Sequence, residues 1–64
     1  MTEITWTNCA EQMPPDDESF IIEINGTLFW AGAIGNRLKE MIDHYKDSAR
    51  WTEFTEEKWE ELNK

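Results

Sequence analysis

Very little in this chain can hold a metal, form a disulfide or cross a membrane. Cys9 is the only cysteine, so no disulfide within the chain can staple the fold. Cys9 and His44 are its only thiol and imidazole, and a structural zinc site wants four such ligands, so no metal and no cofactor is expected. No apolar run approaches the roughly 18 residues that a membrane-spanning helix needs. The opening Met1-Thr2-Glu3-Ile4 lacks the basic start and apolar stretch of a signal peptide, and a lone thiol suits a reducing compartment. The expected location is therefore the cytoplasm, where Asn25-Gly26-Thr27 is a turn and not a glycosylation acceptor.

Positive charge is also scarce. Six Lys and Arg face 14 Asp and Glu, a net charge of −8. Residues 1–36 carry Glu3, Glu11, Asp16, Asp17, Glu18 and Glu23 with no Lys or Arg at all. Residues 37–50 are near balance, and the tail is acidic again through Glu53, Glu56, Glu57, Glu60 and Glu61. Such a surface repels DNA, RNA and anionic membranes, which argues against direct nucleic-acid or membrane binding.

What the chain does have is aromatic area. Four Trp, three Phe and one Tyr occur in 64 residues, enough for a single domain spanning residues 1–64. A domain of this size buries only roughly 60% of the surface its unfolded chain exposes, so it needs either an aromatic-rich core or a partner.

The strongest local signal is Asn25-Gly26 between Ser19–Ile24 and Thr27–Ile34, two β-branched and aromatic runs. A two-residue Asn-Gly loop favours a type I′ hairpin turn, because both central residues need positive φ. That turn sets a register: Ile24 opposite Thr27, Ile22 opposite Phe29 and Phe20 opposite Ala31 on one face. Glu23 with Leu28 and Ile21 with Trp30 fall on the other. Both faces are substantially apolar, so this hairpin needs two covers.

The flanking segments supply candidates. Ile4 and Trp6 alternate with polar neighbours, which predicts a short strand over 4–7. Met13-Pro14-Pro15-Asp16-Asp17-Glu18 predicts an exposed loop. Leu38, Met41, Ile42 and Tyr45 form one stripe of an amphipathic helix over 36–47, with Asn36 as its N-cap. Residues 50–54 suit another short strand. Thr55 suits the cap of a short C-terminal helix with Glu56 and Glu57 in its first turn and Trp59 and Leu62 facing inward. The expected fold is α+β: a small antiparallel sheet of three or four strands centred on the Asn25-Gly26 hairpin, one amphipathic helix, and a short C-terminal helix.

Trp6-x-x-Cys9-x-Glu11-x-Met13-Pro14, the acidic loop and then Phe20-Ile21-Ile22 resemble a family of small phage and prophage proteins, a domain of unknown function. Its members typically open with Trp-Ile-x-Val-x-Glu-x-Leu-Pro, continue with acidic residues or glycine into a Val-Leu-Val strand, and close with His-Trp-Met-Pro-Leu-Pro. Here Arg50-Trp51-Thr52-Glu53-Phe54 stands in the closing place without the prolines, and the tail continues. The resemblance implies a phage or prophage context inside a bacterial host cell. It brings no catalytic residues. It also implies that Trp6 and Trp51 are core anchors, that Pro14 sets the loop into the hairpin, and that Cys9, where the family has valine, is a small apolar group.

Individual candidates for chemistry are weak. Asp16, Asp17 and Glu18 lack the spacing of a calcium loop and read as solvated acids. His44 lies on the polar side of its helix, four residues after Glu40. Cys9 has Glu11 as its nearest charge, the wrong sign to favour a thiolate. A chain this short cannot easily enclose a pocket of about 300 Å³ and keep a core, so no enzyme is expected.

The second hairpin face remains. Ile21 and Trp30 on that face, with Asp16, Asp17 and Glu18 beside it, are the candidate partner-binding residues. The expected function is a small acidic phage-type protein that binds a host or phage protein. Two readings compete with it. One is a DNA mimic whose acids, in residues 11–23 and 53–61, occupy the basic groove of a nucleic-acid-binding protein. The other is a structural or assembly role as a homo-oligomer through the second hairpin face.

Overall fold

The computed structural model describes residues 3–64; Met1 and Thr2, part of the leader argument above, lie outside the described residues. Its elements in chain order are β1 (Thr7–Asn8), β2 (Phe20–Ile24), β3 (Thr27–Ala31), α1 (Asn36–His44), β4 (Ala49–Glu53) and α2 (Glu56–Leu62). A 3-10 turn over Lys46–Ser48 links α1 to β4. The four strands form one antiparallel sheet in the order β1-β4-β2-β3. This is the α+β architecture expected from the pattern.

The hairpin forms as its turn chemistry requires. Asn25 has φ +50° and Gly26 has φ +86°, and the β2–β3 register pairs Ile24 with Thr27, Ile22 with Phe29 and Phe20 with Ala31. β4 then pairs with the other side of β2, setting Ile22 opposite Trp51 and Glu23 opposite Arg50. The Asn25 amide donates to the Ser48 carbonyl at 3.3 Å, which ties the turn to the chain entering β4.

Opposed residues share a face, so the sheet has two well-defined sides. On the first, Phe20, Ile22, Ile24 and Ala49 pack with Ile42 of α1 and with Cys9, and Phe29, Ala31, Ile34, Leu38, Met41 and Trp51 close around them. Phe20, Ile22 and Ile42 are fully buried, each worth about 1.5–3 kcal/mol relative to exposure. On the second side, Ile21 lies between Trp30 and Thr52 in the register and is also fully buried. Its neighbour Trp30 stacks on Phe54 and meets Trp59, and Lys58 donates to Thr52, so the C-terminal segment lies over this second side while α1 packs on the first.

Several local expectations differ from the structure: the Thr27–Ile34 run is strand only over Thr27–Ala31, and Tyr45 of the apolar stripe is exposed. The strand foreseen over 4–7 is reduced to Thr7–Asn8. Before Thr7 the chain splays from β4 and leaves a cleft of about 330 Å³ lined by Glu3, Thr5, Thr7, Thr52, Glu53 and Lys58, among others. After Asn8 the chain reverses at once, with the Asn8 side chain accepting from the Ala10 amide at 2.8 Å. The α1 cap is Gly35, with φ −81° and no side-chain bond, and Asn36 is the first helical residue. The helix stops at His44, short of Asp47, because the 3-10 turn must deliver Ala49 opposite Ile24. Thr55 does cap α2, its hydroxyl accepting from the Lys58 amide at 3.2 Å.

Candidate functional site

β3 is the outermost strand on its side of the sheet, since β4 chose the far edge of β2. In a two-residue hairpin the pair flanking the turn is hydrogen-bonded, and pairs then alternate. The amides and carbonyls of Thr27, Phe29 and Ala31 therefore point into β2. Those of Leu28 and Trp30 point outward, away from the sheet.

Trp30 rises from this edge. At 56% exposure it is the most exposed large apolar residue among the described residues. It is nonetheless held firmly. Its ring stacks on Phe54 at 4.4 Å with 2° between planes, and Trp59 approaches at 5.8 Å and 53°. Such pairs contribute about 0.5–1.5 kcal/mol beyond simple burial. One side of the indole is fixed on Phe54 while the rest is wet, so it presents area at little entropic cost.

Beside Trp30, a groove of about 360 Å³ runs between β3 and α1. It is lined by Phe29, Trp30, Ala33, Leu38 and Met41, with Arg37 as its one charged wall residue. It draws on Trp30 from one face of β3 and Phe29 from the other, so it opens at the strand edge itself.

The acidic loop lies near the far end of this strand. Asp16 Oδ1 accepts from the Ile34 amide at 2.9 Å, fastening the loop to the chain just after β3, and Asp16, Asp17 and Glu18 are all exposed. Ile21 is a correction. It offers no surface, because it is fully buried between Trp30 and Thr52 in the register. Trp30 belongs to the surface and Ile21 to its foundation.

Other candidates recede. Cys9 is 1% exposed, and burial pushes its thiol above the ordinary range, the reverse of an activated nucleophile. His44 is exposed, its ring perpendicular to that of Tyr45 with centroids 4.6 Å apart. Among the described residues no three of His, Cys, Asp and Glu converge to hold a metal ion, and no helix is long and apolar enough to cross a membrane.

Trp51 packs against the core, its indole donating to the Gln12 carbonyl at 2.8 Å, and Pro14 is buried. Trp6 is half-buried under the Arg50 guanidinium, 4.6 Å from its ring centre, while Arg50 also binds Glu23 at 2.8 Å.

The position of β3 at an edge was the feature missing from the sequence reading. One signal pointed to it. Glu23 in mid-strand needs a cation across the ladder, and Arg50 in the 50–54 segment supplies it, placing that segment beside β2. No family model matches this chain, and neither a curated protein nor a solved structure matches it.

Proposed function

We propose that this chain is a non-enzymatic interaction module that binds a protein through the Trp30 edge. The phage or prophage context in a bacterial host is proposed from the Trp6–Pro14 resemblance, and a cytoplasmic location from the lone thiol of Cys9. The carrying observation is Trp30: a mostly exposed indole, clamped by Phe54, at the mouth of an apolar groove. A rigid aromatic beside a pocket is the usual anchor of a protein interface. Soluble chains rarely leave such an arrangement bare.

The test is affinity capture from bacterial lysate with the wild-type chain and with Trp30→Gln, at low and moderate salt. Capture that needs Trp30 and survives moderate salt supports the module. Capture that vanishes with salt and ignores Trp30→Gln would transfer the site to the acidic residues, as in a nucleic-acid mimic, and would overturn this reading.

A further inference from the structure

We infer that the β3 edge pairs with the β3 edge of a second copy of this chain, joining two four-stranded sheets into one antiparallel sheet of twice the width. This rests on the interaction-module reading and names the partner.

The edge is unguarded. Natural sheets blunt their edges with lysine, proline, inward charges or very short strands. The opposite edge, β1, has only two residues. β3 has five, Thr-Leu-Phe-Trp-Ala, with no charge and no proline. The absence of charge extends well past the strand: residues 24–36 contain no Asp, Glu, Lys, Arg or His, in a chain of net charge −8. Two such chains repel each other over most of their surfaces. This stretch is where they can meet without opposing like charges.

The register is self-complementary. The outward groups belong to Leu28 and Trp30, so a two-fold axis at Phe29 pairs Leu28 of each copy with Trp30 of the other. Each such pair exchanges two backbone hydrogen bonds. Phe29 then faces its own counterpart in a close, non-hydrogen-bonded pair, with both rings at the grooves lined by Leu38 and Met41. Thr27 faces Ala31.

The flanking charges suit the antiparallel sense. The acidic loop is fastened near the C-terminal end of β3 through Ile34, and the Lys46–Ser48 turn is fastened near its N-terminal end through Asn25. Antiparallel pairing puts the acidic loops at opposite ends of the seam, each toward the partner's Lys46–Ser48 turn, where Lys46 and Asp47 cancel, so the acids meet no net like charge. A parallel arrangement would put acid against acid.

The purified full chain is tested by sedimentation equilibrium at low and high salt. A reversible dimer that tightens as salt rises is expected, because salt screens repulsion between two chains of charge −8. Leu28→Pro removes an amide that points away from β2, so the hairpin ladder survives. Two intermolecular hydrogen bonds vanish, one per copy, and dissociation strengthens by roughly 10- to 30-fold. Leu28→Lys, an edge guard that keeps the amide, serves as a second variant, and circular dichroism confirms that each is folded.

Register is read by oxidation. A mixture of Thr27→Cys and Ala31→Cys chains cross-links, while each variant alone does not, since only opposed positions come within disulfide reach. A chain that stays monomeric at high concentration in both salts overturns the inference. So does a dimer indifferent to both Leu28 variants. Trp30-dependent capture of another protein by a monomeric chain removes the self-pairing and leaves the interaction module intact.

Discussion

Replacing Gly26 by valine isolates the energy held in the hairpin turn. The site has φ +86°, and a Cβ built there meets nothing within 4 Å, so any loss is backbone strain and not a clash. An L-residue in left-handed backbone costs about 1–2 kcal/mol, and a β-branched one at this φ costs roughly 2–3 kcal/mol. Against this, valine restricts the unfolded chain, which returns about 0.4–1 kcal/mol. The net loss is about 1–2.5 kcal/mol. A domain of this length has a total stability of about 3–10 kcal/mol, so the transition shifts down by roughly 10 °C. The assay is urea unfolding followed by tryptophan fluorescence, with thermal melting beside it.

Two companion variants calibrate the argument. Gly26→Asn, which tolerates positive φ, loses less than about 1 kcal/mol. Gly35→Ser, at the α1 N-cap with φ −81° and open space for its Cβ, gains about 0.5–1 kcal/mol. A Gly26→Val midpoint equal to wild type would refute the turn and with it the register.

Other perturbations probe the remaining layers. Thr55→Ala removes the α2 cap and costs about 1 kcal/mol, measured as a lower urea midpoint with an unchanged slope. Phe54→Ala removes the platform under Trp30 and costs about 2–3 kcal/mol, and it shifts tryptophan emission to the red while the sheet's far-ultraviolet dichroism persists below the transition. Cys9 reacts with a thiol reagent only through opening of the fold, so its labelling is slow in the native protein and fast in urea. Its folded thiol keeps its proton where the unfolded one has lost it. Stability is therefore full below the ordinary thiol range and falls as pH rises through it, a slope that Cys9→Ala flattens in urea midpoints taken from pH 7 to 10.

Legibility in the sequence followed the range of the interaction concerned. The hairpin was readable to the residue, because Asn25-Gly26 has one favoured geometry and fixes which side chains oppose. Three members of the stripe, Leu38, Met41 and Ile42, likewise announced α1, while the fourth, Tyr45, is the exposed residue that ends it, and Thr55 announced the start of α2. The partner of β2 on its other side was not readable from period-two alternation alone, which is the same for a central and an edge strand. Ile4 and Trp6 alternate well yet lie outside β1, since a strand also needs a neighbour at the right spacing. The fate of Ile21 depended on whether Phe54 and Trp59 return to its neighbour Trp30, a contact between segments far apart in the chain. Only with that cover in place did the candidate surface contract from a whole hairpin face to Trp30 and the edge beside it.

The two-sided burial of β2 also sets an order of events in time. The hairpin closes a two-residue loop and can form within about 1–10 μs. Its central strand gains its second neighbour and its second cover only when β4 and α2 arrive, across separations such as the 27 residues between Glu23 and Arg50. Until then the hairpin is a bare ribbon, apolar on both faces and open at both edges. Refolding of this chain is accordingly sensitive to concentration: in dilute solution the tail wins the race to Ile21, and in crowded solution another ribbon arrives first.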